Sequence, residues 1–522
     1  MSPVMSTTSL PRSIPHVVLA AAERAGERLA VVDGRQRATY AELAEAMLRA
    51  AAAFLQMGLP AGERVAIWAP NGLAWIVAAL GVQAAGGCIV PLNTRFKGGE
   101  AEYILNRSRA RYLVLADQFL GTSYPGMLKG RSLPYLERRI VLGVDGDGGW
   151  DAFVADRPQA WRAIALDSIS TLTGAELADL MFTSGTTGNP KAVMAAHAQN
   201  VRVYDTWARM NTLRADDRYL MIYPFFHCSG YKAGWLACFI AGATAYPLAS
   251  MDVASVARVV AAERISFMPG PPTLFQTLLA APPAERGDLS SIRVAQTGAT
   301  TVPPSVIQRM LSELHIQNVM TGYGLTETCG TVTLTAPEDG PEVVTRYCGK
   351  PIEGVEVRCV DEKNMPMPYG EAGEVVVRGY NVMRGYFEDP AATAKAIDAD
   401  GWLHTGDIGV LDPNGYLRLT DRKNDMYIVG GFNCYPSEIE KIMLGNPAYA
   451  QVAVIGVPDE RMGEVGKAFV VPREGAELAP AAVIAWCREA MANYKVPRHV
   501  EIVSALPTNA SGKVLKYQLR NS

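Results

Sequence analysis

Residues 181–191 have a composition suited to binding a polyphosphate. The run Met181-Phe182-Thr183-Ser184-Gly185-Thr186-Thr187-Gly188-Asn189-Pro190-Lys191 combines glycines, hydroxyl side chains and a lysine. Glycines let backbone N–H groups approach phosphate oxygens, hydroxyls add neutral donors, and the lysine supplies a cation. We therefore expect an ATP site in this part of the chain.

The spacing of this run differs from that of the commonest ATP loop. A Walker loop has Gly-Lys-Ser/Thr at the start of a helix, whereas here Pro190 precedes Lys191 and the apolar residues 192–194 follow it. The sequence predicts a hairpin-like phosphate loop that continues into a strand. A surface loop rich in small polar residues is the alternative interpretation of the same run.

Five further motifs follow along the chain. They are Thr321-Gly322-Tyr323-Gly324-Leu325-Thr326-Glu327, Gly401-Trp402-Leu403-His404-Thr405-Gly406-Asp407, Asp421-Arg422, Gly430-Gly431-Phe432-Asn433 and Ser511-Gly512-Lys513. With the first run, they resemble the adenylate-forming superfamily, which includes acyl-CoA synthetases, luciferases and the adenylation domains of peptide synthetases. The resemblance covers nearly the whole chain, and the six motifs stand in the family's order.

The resemblance implies how the phosphates of ATP are bound. It assigns the β and γ phosphates to Thr183, Ser184, Gly185, Thr186, Thr187, Gly188 and Lys191. Thr326 would reach the α-phosphate. A carboxylate beside phosphates is repelled unless a cation bridges them, so Glu327 is the expected Mg²⁺ ligand and a catalytic residue.

The resemblance also places the nucleoside. Tyr323 would stack on adenine, and the segment 296–300, with Gly298 and Ala299, would line the purine pocket. Asp407 would accept hydrogen bonds from both ribose hydroxyls, and Arg422 would assist. Without the ordered motifs, Tyr323 would be an ordinary half-buried tyrosine and Asp407 an ordinary turn residue.

Lys513 and the glycine pair Gly430-Gly431 correspond to two half-reactions of the family. The matching lysine lies between the substrate carboxylate and the α-phosphate during adenylation. Gly430, Gly431 and Phe432 would line the tunnel for the pantetheine arm of coenzyme A after the C-terminal domain rotates. The family usually has Asp or Lys at the position of Asn424, so the efficiency of rotation stays open.

The segment Tyr223–Trp235 matches the part of the family that binds the acid. It contains no Asp or Glu, so the ammonium group of an amino acid would lack a partner, and a non-amino carboxylic acid is favoured. His227 resembles the gate beside the reactive carboxylate. Gly230, Gly234 and Gly298 would clear space for a bulky acid or, alternatively, allow close packing.

Residues 225–234, 268–276 and 428–436 resemble actinobacterial ligases for polycyclic, steroid-derived propanoates. The leading hypothesis is thus an ATP-dependent carboxylic acid:CoA ligase that acts through acyl-AMP on a bulky alicyclic or terpenoid acid. The alternatives are transfer of an acyl group to a carrier protein and thiolation alone, with a separate enzyme supplying the adenylate. A non-catalytic nucleotide sensor and a luciferase-type oxygenation are less favoured.

The elements that must position these residues form an α/β protein. Apolar strand patterns alternate with helical ones, as in Arg64–Trp68, Leu73–Ala85 and Cys88–Val90, which predicts mixed and parallel sheets covered by helices. After Arg358, short strands with turn residues predict a small antiparallel β subdomain. We expect an N-terminal domain over 1–421, a hinge over 422–425 and a mobile α+β C-terminal domain over 426–522.

Composition limits the partners. Lys and Arg number 49 against 52 Asp and Glu, a net charge of −3, so no bulk charge favours nucleic acid. The eight cysteines lack metal-ligand spacing, and residues 1–15 lack an apolar signal core. We expect a cytoplasmic protein without a membrane span that binds a small acid and coenzyme A. Whether it forms a homodimer stays open.

Overall fold

The computed structural model describes most of the chain. It covers residues 10–146, 148–155, 159–183, 190–298, 304–422, 425–429, 432–459, 462–491, 493–508 and 514–520. Parallel and antiparallel sheets with covering helices make up the fold, which confirms the predicted α/β class.

The central sheet carries the strand that leads into the glycine-rich run. Its strands are, in spatial order, Lys191–Ala196, Leu177–Thr183, Cys88–Pro91, Arg64–Trp68, Tyr112–Ala116 and Arg138–Leu142. All neighbours run parallel except the first pair, which is antiparallel. Val65, Ile89 and Leu113 are fully buried, as expected for a sheet that is covered on both faces.

A second layer of strands carries the motif 321–327, which is predicted to bind adenine. One part has the order Arg218–Met221, Thr244–Pro247, Leu29–Asp33 and Gln36–Thr39, and the other has Val294–Gly298, Asn318–Tyr323, Thr333–Leu334 and Lys350–Pro351. Phe267 joins the two parts because it pairs in parallel with both Tyr219 and Val294. The glycine-containing strand ends Gly298 and Gly322 therefore lie side by side.

The predicted antiparallel subdomain is confirmed. Its strands are, in order, Val355–Val360, Ala372–Gly379, Leu403–Leu411 and Leu417–Arg422. The charged residues 421–425 in the sequence predict that the last strand ends near Leu419, but it continues to Arg422, because residues 421 and 422 still pair with Ile408 and Asp407. The first residue of the predicted hinge thus belongs to a strand.

The C-terminal strands form a sheet with its own core. In order they are Phe432–Cys434, Tyr427–Val429, Gly463–Pro472 and Tyr449–Asp459, with His499–Ile502 parallel to Gly463–Pro472. Ile439, Val454, Val470, Val483 and Cys487 are buried together. A separate core fits an independent domain, although the boundaries proposed above stay a prediction.

Helices cover these sheets. The longer helices are Ile14–Ala25, Tyr40–Gln56, Leu73–Ala84, Gly98–Arg107, Gln159–Thr171, His197–Met210, Val253–Glu263, Pro272–Ala280, Pro304–Ser312, Pro436–Met443 and Pro480–Ala490. The second of them starts with a capping box, which the Thr-x-x-Glu spacing of Thr39 and Glu42 in the sequence predicts, since the two side chains bond each other's backbone N–H groups. Within the described residues, no helix is long and apolar enough to cross a membrane.

All eight cysteines lie in described parts of the chain and are free thiols. Seven are buried, and Cys348 is partly buried. Burial raises the pKa of every one of these thiols, for example to about 11 for Cys228 and Cys487 and to about 12 for Cys329. They are therefore overwhelmingly protonated at neutral pH.

Candidate active site

The glycine-rich run connects two antiparallel strands, as the sequence predicted. Thr183 ends one strand, Lys191 begins the next, and the two residues are register partners. The predicted phosphate-binding residues between them lie outside the described residues: Ser184, Gly185, Thr186, Thr187 and Gly188. Thr183 and Lys191 thus fix both ends of the predicted phosphate loop at one end of the central sheet.

A fully buried ion pair involves the strand that leads to Thr183. Asp179 lies in the strand that leads to Thr183, and its carboxylate is 3.0 Å from the Nζ atom of Lys232. The second carboxylate oxygen accepts a hydrogen bond of 2.7 Å from Asn200. Burial alone lowers the pKa of Lys232, but the Asp179 carboxylate outweighs it and raises this pKa above its usual value. The pair ties the phosphate strand to the predicted acid-binding segment.

The predicted adenine and ribose residues are in direct contact. The Tyr323 hydroxyl donates a hydrogen bond of 2.6 Å to the Asp407 carboxylate. Asp407 is almost fully buried, and its backbone N–H donates to the Thr405 hydroxyl. Two motifs that stand 84 positions apart in the chain therefore meet at one point.

Backbone packing explains the glycines beside Tyr323. Gly298 pairs with Gly322 in parallel register, and a Cβ atom on Gly298 would lie 3.1 Å from the Gly322 carbonyl oxygen. Gly298 is thus the last residue of a strand, rather than part of a turn. Its neighbour Ala299 lies outside the described residues.

Glu327 and Thr326 lie in a short 3₁₀ turn directly after the tyrosine motif. The Tyr386 hydroxyl donates a hydrogen bond of 3.0 Å to the Oε1 atom of Glu327. The Glu327 backbone carbonyl accepts a further hydrogen bond of 2.7 Å from the N–H group of Met383. Side chain and backbone of Glu327 are therefore both held by the segment 383–387.

The same segment contacts Lys191, the lysine of the predicted phosphate loop. The Lys191 Nζ atom lies 4.9 Å from the centre of the Tyr386 ring, within the range of a cation–π interaction. Tyr386 thus touches Lys191 with its ring and Glu327 with its hydroxyl. The sequence analysis assigned no function to Tyr386.

His227 caps a short helical turn in the acid-binding segment. Its Nδ1 atom accepts a hydrogen bond from the Ser229 N–H group, and burial lowers its pKa to about 4. His227 is therefore neutral at physiological pH.

Gly230 serves backbone packing, which is the second of the two roles considered for it in the sequence. A Cβ atom on Gly230 would lie 2.1 Å from the Pro224 carbonyl oxygen.

Four residues singled out in the sequence lie outside the described part of the chain: Gly430, Gly431, Asn424 and Lys513. For Arg422 and Phe432 only the backbone is described. Arg422 is the register partner of Asp407 on the adjacent strand, which places the linker arginine next to the predicted ribose carboxylate along the backbone.

Family models match most of the chain. Residues 18–387 match the model described as AMP-binding enzyme, and residues 438–513 match that of the AMP-binding enzyme C-terminal domain. The chain belongs to the AMP-binding enzyme family. It is accordingly an acyl-CoA ligase of the adenylate-forming type, as the six motifs predicted. The second match begins twelve residues after the start of the predicted C-terminal domain.

Two curated members of the AMP-binding family are similar over almost their full length. Both are named 3-[(3aS,4S,7aS)-7a-methyl-1,5-dioxo-octahydro-1H-inden-4-yl]propanoyl:CoA ligase. The Rhodococcus jostii protein is 45% identical, covering 98% of this chain and 99% of its own. The Mycobacterium tuberculosis protein is 46% identical, covering 98% of both chains. A feruloyl-CoA synthase from Amycolatopsis is 35% identical.

Solved structures of the AMP-binding family share the fold. The anthranilate CoA ligase AuaEII in complex with anthranoyl-AMP superposes with a TM-score of 0.87 at 25% identity, over 98% of both chains. ATP-bound MatB from Rhodopseudomonas palustris gives a TM-score of 0.85 at 27% identity, over 98% of both chains. These neighbours were captured with an acyl adenylate and with ATP.

Proposed function

We propose that this ligase converts a bicyclic alkanoic acid into its CoA thioester, with ATP as the activating substrate. The substrate class is a propanoate on a methylated, keto-substituted pair of fused rings. This is the acid named for two relatives that are 45% and 46% identical over nearly the whole chain. That similarity carries the proposal.

The charge state of the acid-binding segment supports a neutral ring system. Within Tyr223–Trp235, Lys232 is the residue that carries a charge at neutral pH, and its charge is taken up by Asp179 in the core. The low pKa of His227 keeps that side chain uncharged. A second carboxylate or an ammonium group on the substrate would find no counter-charge from this segment, whereas apolar rings and ketones need none.

The site residues are proposed to act as the family motifs indicate. Thr183, Lys191 and the loop between them hold the β and γ phosphates, and Thr326 contacts the α-phosphate. Tyr323 packs against adenine while Asp407 binds the ribose. Lys513 stabilises charge on the reacting carboxylate and the α-phosphate. Together, these residues would hold the substrate carboxylate and ATP, which are both anions, in position for attack of the carboxylate on the α-phosphate.

Glu327 is a suitable residue for binding Mg²⁺. Magnesium prefers carboxylate oxygens and is usually held by one or two carboxylates together with substrate phosphates. Among the described residues, no group of three or more His, Cys, Asp or Glu side chains could hold a metal ion. One held carboxylate beside a phosphate loop fits a metal that arrives with ATP, and such a metal neutralises phosphate charge.

The second half-reaction is proposed to use coenzyme A. Gly430, Gly431 and Phe432 would admit the pantetheine arm after rotation of residues 426–522 about the hinge 422–425. The alternatives are that the acyl group is loaded onto a carrier protein, or that the enzyme carries out thiolation alone. A homodimeric state is a separate question for experiment. We also propose a cytoplasmic location, since all eight cysteines are free thiols, as is usual for proteins of a reducing compartment.

The proposal is tested by measuring the two half-reactions separately. The first assay follows pyrophosphate release from ATP without CoA, using the bicyclic propanoate, ferulate, a medium-chain fatty acid and malonate. The second follows CoA thioester formation from a presynthesised acyl adenylate. The highest kcat/KM with the bicyclic acid in both assays is expected. Preference for another acid would overturn the substrate class, and activity only in the second assay would show thiolation alone.

Lys513→Ala separates the two steps. This variant should lose pyrophosphate release but retain thioester formation from the supplied adenylate, because the lysine is proposed to act only in adenylation. Replacing CoA with a phosphopantetheinylated carrier protein in the second assay tests the other acceptor. Equal loss of both half-reactions in Lys513→Ala would contradict the role of Lys513.

A further inference from the structure

Tyr386 stands at the contact between the predicted metal ligand and the phosphate-loop lysine. Its hydroxyl donates a hydrogen bond of 3.0 Å to Glu327, and the centre of its ring lies 4.9 Å from the Nζ atom of Lys191. Glu327 follows the adenine motif and Lys191 starts a strand of the central sheet. Tyr386 comes from a third segment and contacts both residues.

The backbone around Tyr386 is fixed against the central sheet. Tyr386 pairs with Val193 in an antiparallel bridge. The Met194 N–H donates to the Gly385 carbonyl, and the Phe387 N–H donates to the Ala192 carbonyl. The segment 383–387 therefore continues the sheet beyond the strand Lys191–Ala196.

The helix Pro390–Ala396 holds the Tyr386 backbone from the other side. The Tyr386 N–H donates a hydrogen bond of 2.9 Å to the hydroxyl of Thr393, which lies in that helix. Gly385 has a φ of +128°, and a Cβ atom there would lie 2.8 Å from the Thr393 side chain. These contacts fix the Tyr386 backbone, from which the side chain reaches Glu327 and Lys191.

The hydroxyl of Tyr386 is the donor in its contact with Glu327. A protonated phenol can donate to Glu327 but adds no charge. The ring meanwhile offers its negative face to Lys191. Tyr386 thus holds an anion and a cation in place without neutralising either.

We propose that Tyr386 is a positioning residue for MgATP: its hydroxyl orients the Glu327 carboxylate for the metal, and its ring orients Lys191 for the phosphates. The proposal rests on the roles proposed above for Glu327 and Lys191. The two contacts can be tested separately. Removing the Tyr386 hydroxyl affects only the Glu327 carboxylate, whereas removing the whole ring also affects Lys191.

The chain provides a matched control at Tyr416. The Tyr416 hydroxyl donates to the Asp339 carboxylate over 2.5 Å, and Lys350 lies 4.5 Å from its ring centre. Tyr416 precedes the strand Leu417–Arg422, whose opposite end pairs with Asp407. The same tyrosine, carboxylate and lysine combination therefore occurs outside the nucleotide site.

Nucleotide binding without the acid substrate tests the proposal, since no adenylate can then form. Isothermal titration calorimetry should measure Kd for MgATP, and for ATP in EDTA, with wild type, Tyr386→Phe, Tyr386→Leu, Glu327→Ala and Tyr416→Phe. Tyr386→Phe should weaken MgATP binding roughly tenfold or more, as expected for the loss of one hydrogen bond to a charged group. It should leave binding of metal-free ATP unchanged.

The other variants distinguish the possible outcomes. Tyr386→Leu should weaken binding of both forms of ATP, because Lys191 also loses its ring, and Tyr416→Phe should change neither. Wild-type MgATP affinity in Tyr386→Phe, with weakened affinity in Glu327→Ala, would overturn the role of Tyr386. Unchanged affinity in Glu327→Ala would instead overturn the metal role of Glu327. Thermal unfolding of each variant checks folding, and Tyr386→Phe retains the ring that packs in the core.

Discussion

Two groups of charged residues near the predicted phosphate loop are arranged in opposite ways. Asp179 and Lys232 are fully buried and lie 3.0 Å apart, so their charges compensate each other directly. Glu327 and Lys191 are instead both held by a neutral tyrosine. Direct pairing suits charges with a structural role, whereas contact with a neutral residue suits charges that are proposed to bind a ligand.

Breaking the buried pair should have the largest effect. Lys232→Met leaves the Asp179 carboxylate buried without its cation, which should lower the free energy of unfolding by about 3–5 kcal/mol. Denaturant-induced unfolding followed by circular dichroism measures the change. The double variant Asp179→Asn/Lys232→Met should regain most of the stability. A single variant as stable as wild type would show that the pair does not have this structural role.

Removing the charge at Glu327 should affect activity rather than stability. Glu327→Gln keeps the shape of the side chain and its contact with Tyr386 but loses the charge that a metal requires. The rate of pyrophosphate release without CoA should fall by about 100-fold or more, because metal stabilisation of phosphate charge contributes several kcal/mol. The melting temperature should stay near that of wild type. A loss below about threefold would contradict a metal-ligand role.

His197 provides a third case, a buried group that remains uncharged. It is fully buried, its Nδ1 atom accepts from the Ile14 N–H group, and burial lowers its pKa from 6.5 to about 4. The Glu176 carboxylate raises the pKa of His197 in part, and His16 lowers it further. Since the unfolded chain binds this proton more tightly, stability should fall as the pH decreases from 6.5 towards 4.

The size of this effect can be measured with a neutral replacement. Between pH 6.5 and about pH 5, His197 should account for roughly 1–2 kcal/mol of lost stability. His197→Asn retains an acceptor near Ile14 but cannot be protonated, so its stability should decline less over this range. Identical pH profiles for the two proteins would exclude His197 as a contributor.

The smallest expected effect is at the ribose site. Tyr323→Phe retains the ring for adenine but removes the 2.6 Å hydrogen bond to Asp407. The Kd for ATP should rise about fivefold, which corresponds to the loss of one ordinary hydrogen bond. Titration calorimetry at constant Mg²⁺ measures it. Tyr323→Leu, which also lacks the ring, should bind more weakly, and equal affinity of both variants would argue against stacking.

Local patterns in the sequence predicted much of the fold. The capping box at Thr39 and Glu42, the alternation of strands and helices from Arg64 to Pro91 and the hairpin between Thr183 and Lys191 depend on neighbouring residues. Such signals are visible in a single sequence because their spacing matches helix or strand geometry. The antiparallel subdomain was recognised in the same way.

The contacts across the site were less predictable. Tyr386 reaches Glu327 over 59 positions, and nothing in its immediate neighbourhood indicates that contact. Asp179 and Lys232 did carry a signal, because each is a lone charge in an apolar stretch and must find a partner when buried. Gly230 carried no signal that separates its two possible roles. A glycine that leaves space in a pocket and a glycine that packs against a carbonyl oxygen look the same in sequence.

The burial of the native thiols has a practical consequence for observing the proposed rotation. Because seven of the eight free cysteines are buried, Cys348 is partly buried, and burial raises the pKa of the thiols, the native protein should react little with maleimide dyes. One new cysteine on each side of residues 422–425 would then dominate labelling without prior removal of native cysteines. Fluorescence transfer between the two dyes would report directly how far the C-terminal part travels between the two half-reactions.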